Sequence, residues 1–462
     1  MATIRSFWGT ATFLHVSFAC IHSAHLRAHL AFLCPACLFE HRTIWSNVTA
    51  FSLHRGPVME DQPYLKSAIV QEYLFGYELT DTIVMLTLDG DLYVLTTKKK
   101  CEFLEAATKI PKGSPLKAVH LLHKSKGDNN ADNFETLLKA IPKSDEGKRI
   151  VGCLTKEADI NTTGMVAAFE AALGEADDVE VVDNAAGLSF VLATKDDMEL
   201  DLMKKSSVLS NKVMKHGCVA RLEEIIDAEE KITHETFSAY IEEILEDPSK
   251  IKLKVPKEDV SACYNPIVQS GGEYDIKVSA ASNSNELKYD IIIVSMGARY
   301  KSYCSNVART FLVDPPKKVS ETYEHLLGMQ EACTKAMKPG KPFKNVYKAA
   351  VAYLQENYAE HLIPALPKNL GFSIGMDFRD ANLTLSPKNS ATFKPGMTFS
   401  LACGFHNVEL SEKDRSSTPK QSAVSSIGWS DCPPLAFSLV LTLFVSFVPL
   451  GKIVGKVFSS PG

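Results

Sequence analysis

Apolar positions in this chain change their period along its length, and the change divides it. Thr82 to Thr87 and Asp91 to Thr96 are short apolar runs flanking Leu88-Asp89-Gly90, the composition of a tight hairpin turn. A helix starts at Lys98-Lys99-Lys100 and reaches Ala107, with the lysines read as a solvated helix start. Ala118 to Leu122 reads as a strand, Lys124 to Asp132 as a polar loop and Asn133 to Ile141 as an amphipathic helix. Ile150 to Leu154 and Val179 to Val182 predict strands around a helix at Gly164 to Leu173. Strands alternating with helices favour a mostly parallel α/β sheet.

From Leu200 the period lengthens. Leu202, Val208, Leu209, Val213, Met214, Leu222 and Ile226 recur near helical spacing, which predicts one long helix over 200–227. Thr233 caps a second helix running from His234 to Leu245. Strands follow at Ala262 to Val268 and Tyr274 to Ala280, separated by the Ser270-Gly271-Gly272 turn. Ile291 to Val294 is a buried strand rich in β-branched residues, and Val307 to Val313 pairs with it as a hairpin. Ser320 is placed to cap a helix ending near Met337, and Phe343 to Tyr358 forms the next. Side chains on paired strands can share a face, so Ser295 and Asn306, at the end and the return of this hairpin, are candidates to face one pocket.

Composition excludes more than it assigns. With 462 residues and a net charge of −5, the chain holds two or more domains and shows no Lys/Arg stripe in its linear order, which disfavours a strongly basic nucleic-acid binder. Eleven cysteines without framework spacing indicate free thiols, and the close pair Cys34 and Cys37 has no second pair at zinc-site distance. The two ends depart from the rest. Residues 1–58 contain one acidic residue, Glu40, and Arg5 precedes an apolar stretch interrupted by His15. After a Ser-rich segment, Pro433 to Leu450 is almost wholly apolar and reaches the lower length of a membrane-spanning helix. Sequence foreign to the fold is favoured at both ends over a signal peptide or an anchor, because no small-residue cleavage site follows the first and prolines bound the second.

The segment Tyr289 to Phe311, YDIIIVSMGARYKSYCSNVARTF, resembles the creatinase/aminopeptidase or pita-bread family, whose metallopeptidases read I-D-x-G and then G-Y-x-S-D-x-T-R-T-F. Gly297, Tyr303, Ser305, Arg309, Thr310 and Phe311 are kept, while both aspartates are replaced, by Ser295 and Asn306. Lys368 to Asp380 resembles the strand carrying the two family histidines, with Phe372 and Arg379 in their places. Lys394 to Phe405 resembles P-G-M-x-F-x-x-E-P-G, with Ala402 where the bridging glutamate would stand. Among branches that have lost the metal, the match is specific to the large-subunit family of FACT, the nuclear histone chaperone. It is carried by Leu74 to Thr82 (LFGYELTDT), Leu202 to Lys205 (LMKK), Ile267 to Gly272 (IVQSGG) and Lys301 to Asn306 (KSYCSN).

That resemblance implies an α/β (α+β) fold. Residues 1–58 would be a divergent segment, 59–199 an N-terminal α/β lobe, 200–414 a pita-bread domain incomplete at its C-terminal strands, and 415–462 a divergent apolar tail. The lobe would lack its first strand, and Met397 to Leu401 would lose a neighbour. The resemblance further implies no enzyme activity, no cofactor and no metal, since Ser, Asn, Phe and Ala cannot neutralise two divalent cations. The alternative is a residual metallopeptidase. Histones or nucleosomes would be the partners and the nucleus and chromosome the location, with roles in transcription, DNA replication and DNA repair. The HMG-box subunit would be held through regions beyond this chain; sequence-specific DNA binding and a membrane are not expected. Loss of the ligands would leave the cleft open as a peptide groove, with Asp377, Arg379 and Asp380 on the strand of Phe372 as its substrate-side groups.

Overall fold

In a computed structural model the chain divides into two compact units, residues 1–191 and 192–462. The structure describes residues 45–408, apart from short stretches within 58–63, 111–115, 126–128 and 159–162 and residues 273, 276 and 278, together with the backbone of Leu435–Phe444. Cys34 and Cys37 lie outside these residues.

The first unit is built on a six-stranded sheet. Its strands are β1 (Ala50–Arg55), β2 (Thr82–Thr87), β3 (Asp91–Thr96), β4 (Ala118–His123), β5 (Arg149–Cys153) and β6 (Val179–Asp183), in the order β4-β3-β2-β1-β5-β6. The sheet is mixed: β1, β2 and β3 pair antiparallel, while β4, β5 and β6 join parallel. The hairpin at Leu88-Asp89-Gly90 has the predicted boundaries. Helices Ala131–Ala140 and Gly164–Glu175 lay Phe134, Leu137, Met165, Val166 and Phe169 on Ala50, Ile83, Met85 and Val151 of the sheet.

The expected absence of a first strand is overturned. Residues 50–55, inside the segment read as foreign, form a central strand whose six residues are all buried. Its polar side chains hid it from a hydrophobicity reading, and each finds a partner. Ser52 Oγ lies 2.8 Å from His54 Nε2, whose Nδ1 is 2.9 Å from Glu170 Oε1 on helix Gly164–Glu175, and Arg55 Nε donates to Glu78 at 2.5 Å. The Ser-His-Glu chain has the order of a hydrolytic triad, but Ser52 is fully buried and closed to any substrate.

The second unit holds a three-stranded sheet, β11-β10-β7, made by β7 (Val260–Ala262), β10 (Ala298–Tyr300) and β11 (Tyr303–Cys304). Its larger sheet runs β13-β14-β15-β12-β9-β8, from β8 (Ile267–Gln269), β9 (Ile291–Met296), β12 (Val307–Leu312), β13 (Gly371–Ser373), β14 (Thr398–Val408) and β15 (Leu435–Phe444). β9 and β12 pair antiparallel as predicted, with Ser295 opposite Ala308.

The apolar tail is likewise a strand. β15 lies between β14 and β12, with Thr398 opposite Phe444 and Leu401 opposite Leu441, so Met397 to Leu401 does not lose its neighbour. An apolar run between two strands on one sheet reads in sequence like a short membrane span, because both are apolar on every side.

Four local readings change. The helix predicted over 200–227 is Asp197–Val213 followed by a π turn, Met214–Val219, and Ala220–Asp227. Tyr274 to Ala280 forms no strand among the described residues; the Gln269 side chain instead bonds both the carbonyl and the amide of Asp275. The helix expected to start at Ser320 begins at Lys317. Lys204, Lys205, Lys212 and Lys215 are exposed along the helix Asp197–Val213 and its π turn, a cluster that linear order concealed.

Candidate functional site

The hairpin of β9 and β12 aims its two polar residues at one phenol. Tyr264 Oη donates to Asn306 Oδ1 at 2.7 Å and, its single proton spent, accepts from Ser295 Oγ at 2.7 Å. Asn306 Nδ2 in turn donates to Ser400 Oγ on β14 at 3.3 Å. Burial pushes the Tyr264 phenol far above its ordinary range, so the cluster is neutral throughout.

Close backbone approach makes this geometry possible. At Gly297 a Cβ would sit 2.2 Å from the Ser305 carbonyl oxygen, and at Gly371, with φ +140°, one would sit 2.1 Å from that of Ser400. Beneath the hairpin, helix Asp197–Val213 contributes Ser206 and Ser210, whose hydroxyls lie 2.9 and 2.8 Å from Ser305 Oγ.

The structure brings four of the seven predicted residues to two adjoining features. Ser295 and Asn306 meet at Tyr264. Phe372 is buried on β13, with its ring centroid 5.9 Å from that of Phe378, which is 4.9 Å from the Tyr264 ring. Arg379 is exposed with its guanidinium 5.7 Å from the Phe372 centroid. Ala402 is half-buried on β14.

Asp377 and Asp380 are not on a strand with Phe372, because β13 ends at Ser373 and the chain turns. Asp377 accepts from the Arg379 amide at 3.1 Å, and buried Asp380 accepts from the Asn382 amide at 2.8 Å. Both carboxylates help to shape the turn.

Under that turn lies a residue the sequence reading missed. Lys195 is buried, its Nζ donates to the Ala193 carbonyl at 3.0 Å, and its neighbouring carboxylates are Glu199, Asp380 and Asp377. Burial lowers its pKa to about 8 against the opposing pull of those acids. Burial likewise raises Glu199, which accepts from Tyr303 Oη at 2.9 Å and forms a reciprocal cap with Asp196. A Cβ on Gly375 would lie 2.7 Å from Lys195 Cε, so turn and lysine are in direct contact. The signal for this end was legible as D-x-x-E at Asp196 to Glu199; Tyr264 carried none beyond standing three residues before the IVQSGG motif.

The expectation of a cleft left empty by ligand loss needs amending, since the Tyr264 hydroxyl spans the two positions where aspartates would have held metal.

Residues 201–432 match the metallopeptidase family M24, and residues 23–187 match the N-terminal lobe domain of the FACT complex subunit SPT16. The lobe match begins well inside the segment read as foreign. The chain is 36% identical over 381 residues to the FACT complex subunit SPT16 of Oryza sativa subsp. japonica, covering 81% of this chain and 35% of that protein. It is 36% identical over 396 residues to the protein of the same name from Arabidopsis thaliana, covering 83% and 36%. The chain thus spans about a third of the length of these curated relatives. The solved N-terminal domain of the FACT complex subunit SPT16 from Cicer arietinum superposes with TM-score 0.79 at 32% identity, covering 92% of this chain and 94% of that one. An X-Pro aminopeptidase from Thermotoga maritima, at TM-score 0.57 and 14% identity over 87% and 96%, shares the fold alone.

Proposed function

The chain belongs to the SPT16 family of FACT complex subunits, and from that premise we propose that it is a non-catalytic peptide-binding module on a peptidase fold, acting on histone segments within a nuclear, chromosome-bound histone chaperone. Its work would be the reorganisation of nucleosomes during transcription, DNA replication and DNA repair.

The observation that carries the non-catalytic part is the Tyr264 bridge. A hydrolytic metal would need carboxylates where Ser295, Asn306 and Ala402 stand and an imidazole where Phe372 stands. Instead a neutral phenol closes the hydrogen bonds of the first two. A site wired in this way has neither ligand charge nor a free ligand atom at those positions. Elemental analysis of the purified chain is expected to give no stoichiometric Mn, Co or Zn, and an X-Pro dipeptide is expected to remain uncleaved.

Peptide binding is supported by the exposed Arg379 above the Phe372 ring, beside half-exposed Asp377. The guanidinium can donate to peptide carbonyls, and Asp377 supplies a modest attraction for lysine-rich extended segments, screened by salt. Asp380 positions the turn from below. Titration of fluorescent histone-tail peptides is expected to give saturable binding that weakens in the Arg379→Ala, Asp377→Asn double variant. Unchanged affinity, or no binding at millimolar peptide, would sink the peptide-groove reading while leaving the metal prediction standing.

A further inference from the structure

The sequence LMKK, Leu202 to Lys205, resembles the family but plays no part in the site described above. It opens a basic stripe. Lys204, Val208, Lys212 and Lys215 follow i, i+4, i+8 and i+11 along Asp197–Val213 and the π turn, and all four are exposed. At 1.5 Å per residue the stripe is roughly 16 Å long. Lys205 flanks it, paired to Asp201 in an ion pair more than half exposed on both sides. The helix packs against β10, whose turn into β11 carries exposed Lys301, lying 5.9 Å above the Tyr300 ring and 3.4 Å from Asp259.

We propose that this face binds the phosphodiester backbone of duplex DNA without reading its sequence. The charge is cationic over a length that spans several phosphates, since a duplex carries one phosphate per roughly 1.7 Å of axis. Every cation in the stripe is a lysine, a flexible point charge with no bidentate fork, which suits closely spaced phosphates and gives no base discrimination. An acidic protein surface is the less favoured occupant, because Val208 alone supplies exposed apolar surface in the stripe, far short of what a protein interface core buries. The Lys205–Asp201 pair is no obstacle, because exposed ion pairs exchange partners at little cost.

The test is fluorescence anisotropy of a mixed-sequence 20-base-pair duplex titrated with the full chain at 50 and 200 mM NaCl. Phosphate contacts from Lys204, Lys212, Lys215 and the flanking Lys205 predict a fall in affinity of about a hundred-fold between the two salts. The exposed triple variant Lys204→Glu, Lys212→Glu, Lys215→Glu, checked for native circular dichroism, is expected to lose at least about ten-fold at 50 mM, given a counterion-release contribution from each contact. Lys348→Glu, at an exposed lysine on helix Lys344–Glu356, is expected to bind the duplex as the parent does. Absence of binding at 50 mM NaCl, an unchanged triple variant, or a poly-glutamate peptide that binds the stripe more tightly than the duplex would each overturn the proposal.

Discussion

Two polar clusters in the second unit solve opposite problems. Around Tyr264 the fold buries a neutral polar cluster: Ser295 and Asn306 are joined to the phenol, and Asn306 to Ser400, by uncharged hydrogen bonds. Around Lys195 the fold buries charge, setting an ammonium among Glu199, Asp380 and Asp377. The first cluster is cheap to keep but weak, each bond contributing about 1 kcal/mol net. The second is costly to form and costlier to break, because a buried ion left without its partner pays its whole desolvation. The β9–β12 hairpin is thus tied to Tyr264 by hydrogen bonds, while the ionic order lies at the turn that carries Asp377 and Asp380.

The largest expected effect follows from breaking the ionic side. Lys195→Met leaves Glu199 and Asp380 without their cation and should destabilise the chain by about 3 kcal/mol in urea unfolding. A loss no greater than that of a surface lysine would mean the cluster is not coupled.

Carrying charge into the neutral side should come next. Asn306→Asp places a carboxylate at a residue 4% exposed, with Tyr264 its one described donor from the phenol side. Burial raises such a carboxyl, so its protonated form is the one the fold tolerates, and stability should be lost as pH rises. The variant is expected to be nearer the parent at pH 5 than at pH 7.5, by roughly 1 to 2 kcal/mol if the shift reaches about two units.

Deleting the bridge alone is milder. Tyr264→Phe keeps the ring against Phe378 and leaves two bonds unmade, and denaturant unfolding should record a loss of about 1 to 2 kcal/mol. A neutral outcome would show that Ser295 and Asn306 find water instead.

The last effect is a slope. Lys195 is depressed from 10.5 to about 8 in the fold, so its contribution is present above the unfolded value and lost as pH falls through about 8. The parent should therefore gain stability between pH 8 and pH 10 relative to Lys195→Met, whose profile lacks that rise. Parallel profiles would place the lysine in contact with solvent.

Much of this molecule was legible in its residue order. The hairpin at Asp89-Gly90, the cap at Thr233 and the pairing of β9 with β12 all rest on local spacing. Local chemistry is written locally: turn residues, caps and alternation act over a few positions. What only the tertiary structure decided depends on partners far apart in sequence. β1 could not be recognised from AFSLHR because Ser52, His54 and Arg55 become acceptable in a core only through Glu170 and Glu78. β15 could not be told from a membrane span because its neighbours β14 and β12 are what make it a strand. Tyr264 reaches Ser295 across 31 residues and Asn306 across 42, and Lys195 meets Asp380 across about two thirds of the second unit. The residue types present were fixed by the sequence; which polar groups would neutralise which others was fixed by folding, since a buried group is tolerated only where the chain's return brings it a partner.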